Sequence, residues 1–143
     1  MLVSQILASK GNGVVTIAPG ATVAEAARLL SDKRIGSVVV SADSDHVAGI
    51  LSERDIVREI GRRGPSCLED EVEAMMTENI QTCARSDTAE SVLLRMSEGR
   101  FRHMPVVEEG HMVGMITQGD VVKARLIEVA MEKDALEGMI MGH

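Results

Sequence analysis

Aromatic residues are almost absent from this chain: there is no tryptophan or tyrosine, and Phe101 is the only phenylalanine among 143 residues. Any core must be assembled from Val, Ile, Leu, Met and Ala, and the 45% apolar content allows a sizeable one. Cysteine is scarce too. Cys67 and Cys83 stand in unlike contexts without metal-site spacing, which excludes a disulfide framework and reads as two thiols. The histidines His46, His103, His111 and His143 are scattered along the sequence, and no metal site is expected from them. Positive charge is in deficit, with 15 Lys and Arg against 22 Asp and Glu for a net charge of −7. Such a field argues against nucleic acid and against anionic membranes, although a single anionic ligand in a local pocket remains compatible with it. No apolar run approaches the roughly 20 residues of a membrane span, and the N-terminus lacks the charged-then-apolar pattern of a signal peptide. A cytoplasmic location is the expectation.

What the chain does contain, it contains twice. One segment ends Gly49-Ile50-Leu51-Ser52-Glu53-Arg54-Asp55-Ile56-Val57 and a second ends Gly114-Met115-Ile116-Thr117-Gln118-Gly119-Asp120-Val121-Val122. Each is a glycine, two apolar residues, a hydroxyl, two variable residues, an acid and two apolar residues. Upstream, Thr16, Ala18, Thr22, Leu30, Arg34 and Val40 fall on Thr82, Ala84, Thr88, Met96, Arg100 and Val106 at a constant offset of 66, which drops to 65 after Val40. A one-residue slip belongs in a turn, where length changes are tolerated. A chain of this length is one domain's worth, so the copies read as two halves of one body.

Each copy reads strand, helix, strand, strand, helix. In the first, the β-branched run Val14 to Ile17 precedes Pro19-Gly20, and Thr22-Val23-Ala24-Glu25 has the form of a capping box. Val23, Ala26, Ala27 and Leu30 share one helical stripe. Ser37 to Val40 and Val47 to Leu51 flank a polar turn and predict a hairpin. In the second copy, Asp87 or Thr88 caps a helix bearing Ala89, Val92, Leu93 and Met96, followed by strands at Met104 to Val107 and Met112 to Ile116. The string Arg62-Arg63-Gly64-Pro65-Ser66 breaks the first copy's last helix, and Val72, Met75 and Met76 mark a short helix between the copies. From Asp120 a long helix runs to about Ile140, with Val122, Leu126, Val129, Leu136 and Ile140 in a seam of the kind helices use to pair. That seam either packs on the chain's own core or forms a dimer contact. The expected boundaries are residues 1–65 for repeat 1, 66–125 for repeat 2 and 120–143 for a C-terminal helical extension.

The Ser52-x-x-Asp55 and Thr117-x-x-Asp120 pairs admit two readings. A hydroxyl followed three residues later by an acid caps the backbone N–H groups of a helix start. The same groups, set at a strand-to-helix corner, also suit a ligand: a carboxylate accepts from the paired hydroxyls of a ribose, and a Ser or Thr hydroxyl donates to phosphate. Nearby, Arg100-Phe101-Arg102-His103-Met104-Pro105 is a basic turn leading into a strand, and Arg34 stands at the place of Arg100. Forked guanidinium donors suit phosphate, while cations at a helix end also counter its dipole.

The doubled plan, the Gly-φ-φ-Ser/Thr-x-x-Asp ending and the Arg-x-Arg-His-Met-Pro-Val-Val string resemble a pair of cystathionine-β-synthase-type (CBS) domains, a Bateman module, over about Val14 to Val122. The resemblance implies an α+β fold of two pseudo-twofold-related β-α-β-β-α repeats packed through their sheets, with two clefts that bind AMP, ADP, ATP, S-adenosylmethionine or NAD, AMP being the first expectation. Asp55 and Asp120 would take ribose hydroxyls, and Ser52 and Thr117 the phosphate. Val15, Thr16, Ile80 and Thr82 would offer backbone groups to the adenine edge, with Val39 and Pro105 against its face. Arg54, Arg100, Arg102 and His103 are the phosphate candidates. Copy one has Ser37-Val38-Val39 where copy two has His103-Met104-Pro105, so Ser37 and Met104 complete two unequal sites. The module's habit of pairing implies a homodimer.

No nucleophile elbow, Walker-type loop or metal spacing is present in the sequence, so no catalytic residue is assigned. The expectation is a non-enzymatic nucleotide sensor acting on an unidentified protein client. The alternative is a dimeric scaffold whose nucleotide sites are vestigial.

Overall fold

The computed structural model describes residues 1–141. The fold is α+β, with helices α1 (Val3–Lys10), α2 (Val23–Lys33), α3 (Glu53–Arg63), α4 (Val72–Met75), α5 (Ala89–Gly99) and α6 (Gln118–Ile140). Its strands are β1 (Thr16–Ile17), β2 (Ser37–Val40), β3 (Gly49–Ser52), β4 (His103–Glu108) and β5 (His111–Thr117). None of the described helices is long and apolar enough to cross a membrane. The chain divides into two compact units: residues 13–81 with 107–113, and residues 1–12 with 82–106 and 114 onward.

In the first unit the sheet order is β1-β2-β3. β1 runs parallel to β2 with Thr16 opposite Val39, and β2 pairs antiparallel with β3, placing Ser37 opposite Ser52. The expected hairpin is therefore present. Thr22 caps α2 through a complete capping box with Glu25, and the stripe Val23, Ala26, Leu30 joins Val38, Val40, Leu51, Ile56 and Val72 in one buried cluster. Gly64 closes α3 at the predicted break, and Pro65–Glu69 continues as a 3₁₀ turn.

In the second unit Thr88, not Asp87, is the N-cap of α5, its hydroxyl accepting from the Ser91 N–H at 3.1 Å. β4 and β5 pair as a two-stranded ribbon. The first strand expected in copy two is reduced to a single bridge between Cys83 and Val106. The reason is compositional, since Ile80-Gln81-Thr82-Cys83 lacks the β-branched run Val14-Val15-Thr16-Ile17 of copy one. The sequence pattern also did not mark α1, which buries Val3, Ile6 and Leu7 and touches α6. Cys67 and Cys83 are buried thiols.

The glycines that open the doubled signature sit where a side chain does not fit. A Cβ on Gly49 would lie 2.6 Å from Met76 Sδ and 2.8 Å from the Thr77 carbonyl oxygen, and one on Gly114 would lie 2.6 Å from Leu7 Cδ2. Both glycines answer to close approach by a neighbouring segment.

Along α6 only Val121 and Ala124 are buried. The seam residues Val122, Leu126, Val129, Leu136 and Ile140 are between 41% and 76% exposed, so they do not pack on the chain's own core. The helical extension expected to residue 143 is seen to Ile140, and residues 142–143, including His143, lie outside the described residues.

Candidate functional site

Each copy places its signature at the corner where a strand becomes a helix. At the end of β3, Ser52 caps α3: its hydroxyl accepts from the Asp55 N–H at 3.2 Å, and its own N–H and hydroxyl donate to Asp55 Oδ2 at 3.0 and 2.9 Å. At the end of β5, Thr117 repeats the device, accepting from the Asp120 N–H at 3.2 Å and donating its own N–H to Asp120 Oδ2 at 2.9 Å. The capping reading of both pairs is thus present in full. Two further bonds recur. Glu53 N–H donates to the Gly36 carbonyl at 2.9 Å and Gln118 N–H to the Arg102 carbonyl at 2.8 Å, tying each helix start to the segment leading into β2 or β4. Arg34 and Arg100, the C-caps of α2 and α5, both adopt the left-handed conformation, at φ 55° and 56°. Non-glycine residues seldom do so, and the repetition shows that the backbone at these arginines is copied along with the signature.

The two acids differ in what else they hold. Asp55 is buried, and its Oδ1 accepts from Arg58 Nη2 at 2.8 Å. Asp120 is half-buried, and Lys10 at the end of α1 donates to its Oδ2 at 2.6 Å while also donating to the Met115 carbonyl at 2.9 Å. Burial raises the Asp120 carboxyl, but the hydrogen bonds from Lys10 and the Thr117 backbone outweigh it and hold the group below its ordinary value. Asp120 Oδ1 accepts no hydrogen bond among the described residues. Lys10 lay beyond the reach of sequence reasoning, because the contact spans 110 positions.

In the first unit the expected residues cluster around the sheet. Val15 accepts from the Val39 N–H through its carbonyl at 3.2 Å, and the Thr16 hydroxyl meets Ser44 Oγ at 3.1 Å. Ser37 and Val39 are buried in β2, Arg54 is exposed in the first turn of α3, and Ile80 is half-buried. In the second unit Thr82 is exposed, and its carbonyl accepts from Arg95. Arg100 and Arg102 are exposed, His103 is half-buried at the start of β4, and Met104 and Pro105 are buried within it. The Pro105 carbonyl accepts from the Cys83 N–H at 3.0 Å. Among the described residues Arg34, Arg54, Arg100 and Arg102 form no ion pair, which leaves their guanidinium groups available to an anion. A cleft of about 480 Å³ opens between α2 and α3, lined by Leu30, Arg34, Glu53, Ile56 and Val57 among others, and of the residues the sequence offered to a ligand Arg34 alone lines it.

The doubled corner is matched by a family model described as "CBS domain" at residues 3–62 and again at 72–127. The chain belongs to the CBS-domain family. The match indicates no catalytic family. A crystal structure of a CBS-domain containing protein from Agrobacterium tumefaciens is 41% identical with a TM-score of 0.84, covering 87% of this chain and 99% of that one. The mitochondrial CBS domain-containing protein CBSX3 of Arabidopsis thaliana is 31% identical, the match covering 98% of this chain and 72% of the relative. A CBS domain protein from Pyrobaculum aerophilum, solved in complex with AMP, is 26% identical with a TM-score of 0.77 and covers 92% of this chain and 99% of that one.

Proposed function

We propose that this CBS pair is a non-enzymatic regulatory module that binds an adenine nucleotide, AMP ahead of ADP, ATP or NAD, and as a cytoplasmic homodimer modulates a protein client. Its repeats are taken as residues 1–65 and 66–125, with 120–143 as the extension. The observation that carries the reading is the copy-two corner. Among the described residues Asp120 keeps one carboxylate oxygen without a hydrogen bond beside a helix N-terminus, and a ribose diol needs such an acceptor. Thr117, Arg100, Arg102 and His103 supply donors for phosphate from the same unit. The AMP complex of the Pyrobaculum relative supports the ligand class. Asp55 has both oxygens engaged, so the copy-one site, with Ser52 and Arg54, is the weaker of the two.

The near absence of aromatic residues makes the test direct. The ultraviolet spectrum of the purified protein is recorded, the protein is denatured, and any released compound is identified by mass spectrometry. An adenine band then cannot be masked by Trp or Tyr. Calorimetric titration with AMP, ADP, ATP and NAD follows. Binding heat that is lost with Asp120→Ala and reduced less with Asp55→Ala is the expected result, and absence of heat with all four compounds refutes the proposal. The saturated carboxylate of Asp55 favours the second reading, a scaffold with vestigial sites, which would keep its affinity for a partner in both variants.

A further inference from the structure

Two histidines that lie far apart in sequence meet in the first unit. His46, in the turn between β2 and β3, and His111, at the start of β5, have ring centroids 5.3 Å apart. Asp45 lies beside them: its Oδ2 is 2.5 Å from His111 Nδ1 and 3.8 Å from His46 Nδ1. One ligand atom from each of Asp45, His46 and His111 lies within 4.8 Å of the other two. The expectation that the histidines are scattered holds for the sequence and fails in space for this pair. We infer that Asp45, His46 and His111 form a binding site for a divalent transition ion of the Zn²⁺ class.

The donor set selects the ion. Two imidazoles and one carboxylate are the ligands of Zn²⁺, Ni²⁺, Co²⁺ and Cu²⁺, whereas Mg²⁺ and Ca²⁺ take oxygen alone. A tetrahedral site with bonds of about 2.0–2.1 Å has its ligand atoms about 3.3 Å apart. The 2.5 Å edge between Asp45 and His111 therefore has to open and the longer edges to close toward that separation, which torsions of two exposed histidine side chains can supply. Both rings are more than half exposed, so water can complete the coordination. The ion takes the place of the ring proton that now lies between His111 Nδ1 and Asp45 Oδ2, while His46, whose Nδ1 is held by Asp43, offers Nε2.

The backbone holds the ligands in place without help from the rings. Asp43 Oδ1 accepts from the N–H groups of Asp45 and His46, each at 2.9 Å, and from Ser41 Oγ at 3.1 Å, which fixes the turn. Met112 N–H donates to the Asp45 carbonyl at 2.8 Å and brings the start of β5 onto that turn. Asp43 Oδ2 lies 2.7 Å from His46 Nδ1 and is placed to orient that ring from outside the coordination sphere, as carboxylates commonly do for metal-bound imidazoles. None of Asp45, His46 and His111 is among the residues assigned to the nucleotide corners.

The test uses tag-free full-length protein, stripped with EDTA and freed of chelator, and titrated with Co²⁺ while the visible ligand-field bands are followed. One equivalent of bound Co²⁺, displaced by Zn²⁺ but not by Mg²⁺, is expected, with a Tm that rises on adding Zn²⁺. His46→Asn and His111→Asn keep a donor near the Nδ1 position, so the hydrogen bonds to the aspartates survive while the ligand is lost. Each is expected to weaken Co²⁺ binding about tenfold or more, and the double variant to show neither bands nor a Tm response. Absence of bands at large excess of Co²⁺ overturns the inference. So do undiminished bands in the double variant, or a thiolate-to-cobalt band that places the ion on Cys67 or Cys83.

Discussion

Gly49→Ala isolates a packing requirement inside the repeated signature. The new Cβ would stand 2.8 Å from the Thr77 carbonyl oxygen and 2.6 Å from Met76 Sδ. The methionine end can swing away. The carbonyl cannot, because Thr77 exchanges two backbone hydrogen bonds with Ile50, at 2.9 and 3.0 Å, and any retreat lengthens both. Forcing a methyl into such a site costs about 2–3 kcal/mol. At roughly 3 °C per kcal/mol for a chain of this size, the Tm falls by about 6–9 °C. Gly114→Ala is the internal control. The three atoms nearest its Cβ all belong to the side chain of Leu7, with Cδ2 at 2.6 Å and Cδ1 at 3.0 Å, and a rotamer change there costs about 1 kcal/mol. Thermal melts and urea titrations followed by far-ultraviolet circular dichroism measure both variants on one scale. If Gly114→Ala destabilises as much as Gly49→Ala, the distinction between backbone and side-chain obstruction is wrong.

Three more outcomes are expected. Lys10→Ala lowers stability at neutral pH by about 0.5–1 kcal/mol, since the ion pair with Asp120 is partly exposed. Because the folded-state pKa of Asp120 is depressed, its contribution is present above the ordinary carboxylate pKa of 3.8 and is lost as pH falls below it. The urea midpoints of wild type and Lys10→Ala should therefore converge as the pH falls below about 3.8, and a gap that stays constant would contradict the assignment. Thr88→Ala removes the cap of α5 and should cost about 1 kcal/mol by the same denaturation assay, whereas Thr88→Ser should cost much less. Leu126→Glu combined with Leu136→Glu places charge on the exposed face of α6 and tests the proposed homodimer, with sedimentation expected to shift from dimer to monomer without loss of helical signal. A wild-type chain that sediments as a monomer, or an unchanged sedimentation coefficient in the variant, refutes a dimer contact on this face.

Local chemistry was enough to read the repeat, the capping of Thr22, Ser52 and Thr117, the break at Gly64 and the length of α6. Caps, strand runs and helical stripes are decided over three or four neighbours, and two copies of one pattern check each other. The signature glycines were visible as a pattern, but their reason was not, because Met76, Thr77 and Leu7 come from other parts of the fold. The same holds for Lys10, which reaches Asp120 across 110 positions, and for His46 and His111, whose approach depends on the strands that carry them. Strand-to-helix corners and their hydroxyl and acid groups follow from sequence, since each is a contiguous string with its own hydrogen bonds. Which charges settle on those acids, and which histidines share an aspartate, follow only from tertiary packing, where contact is set by the path of the backbone and not by separation along it.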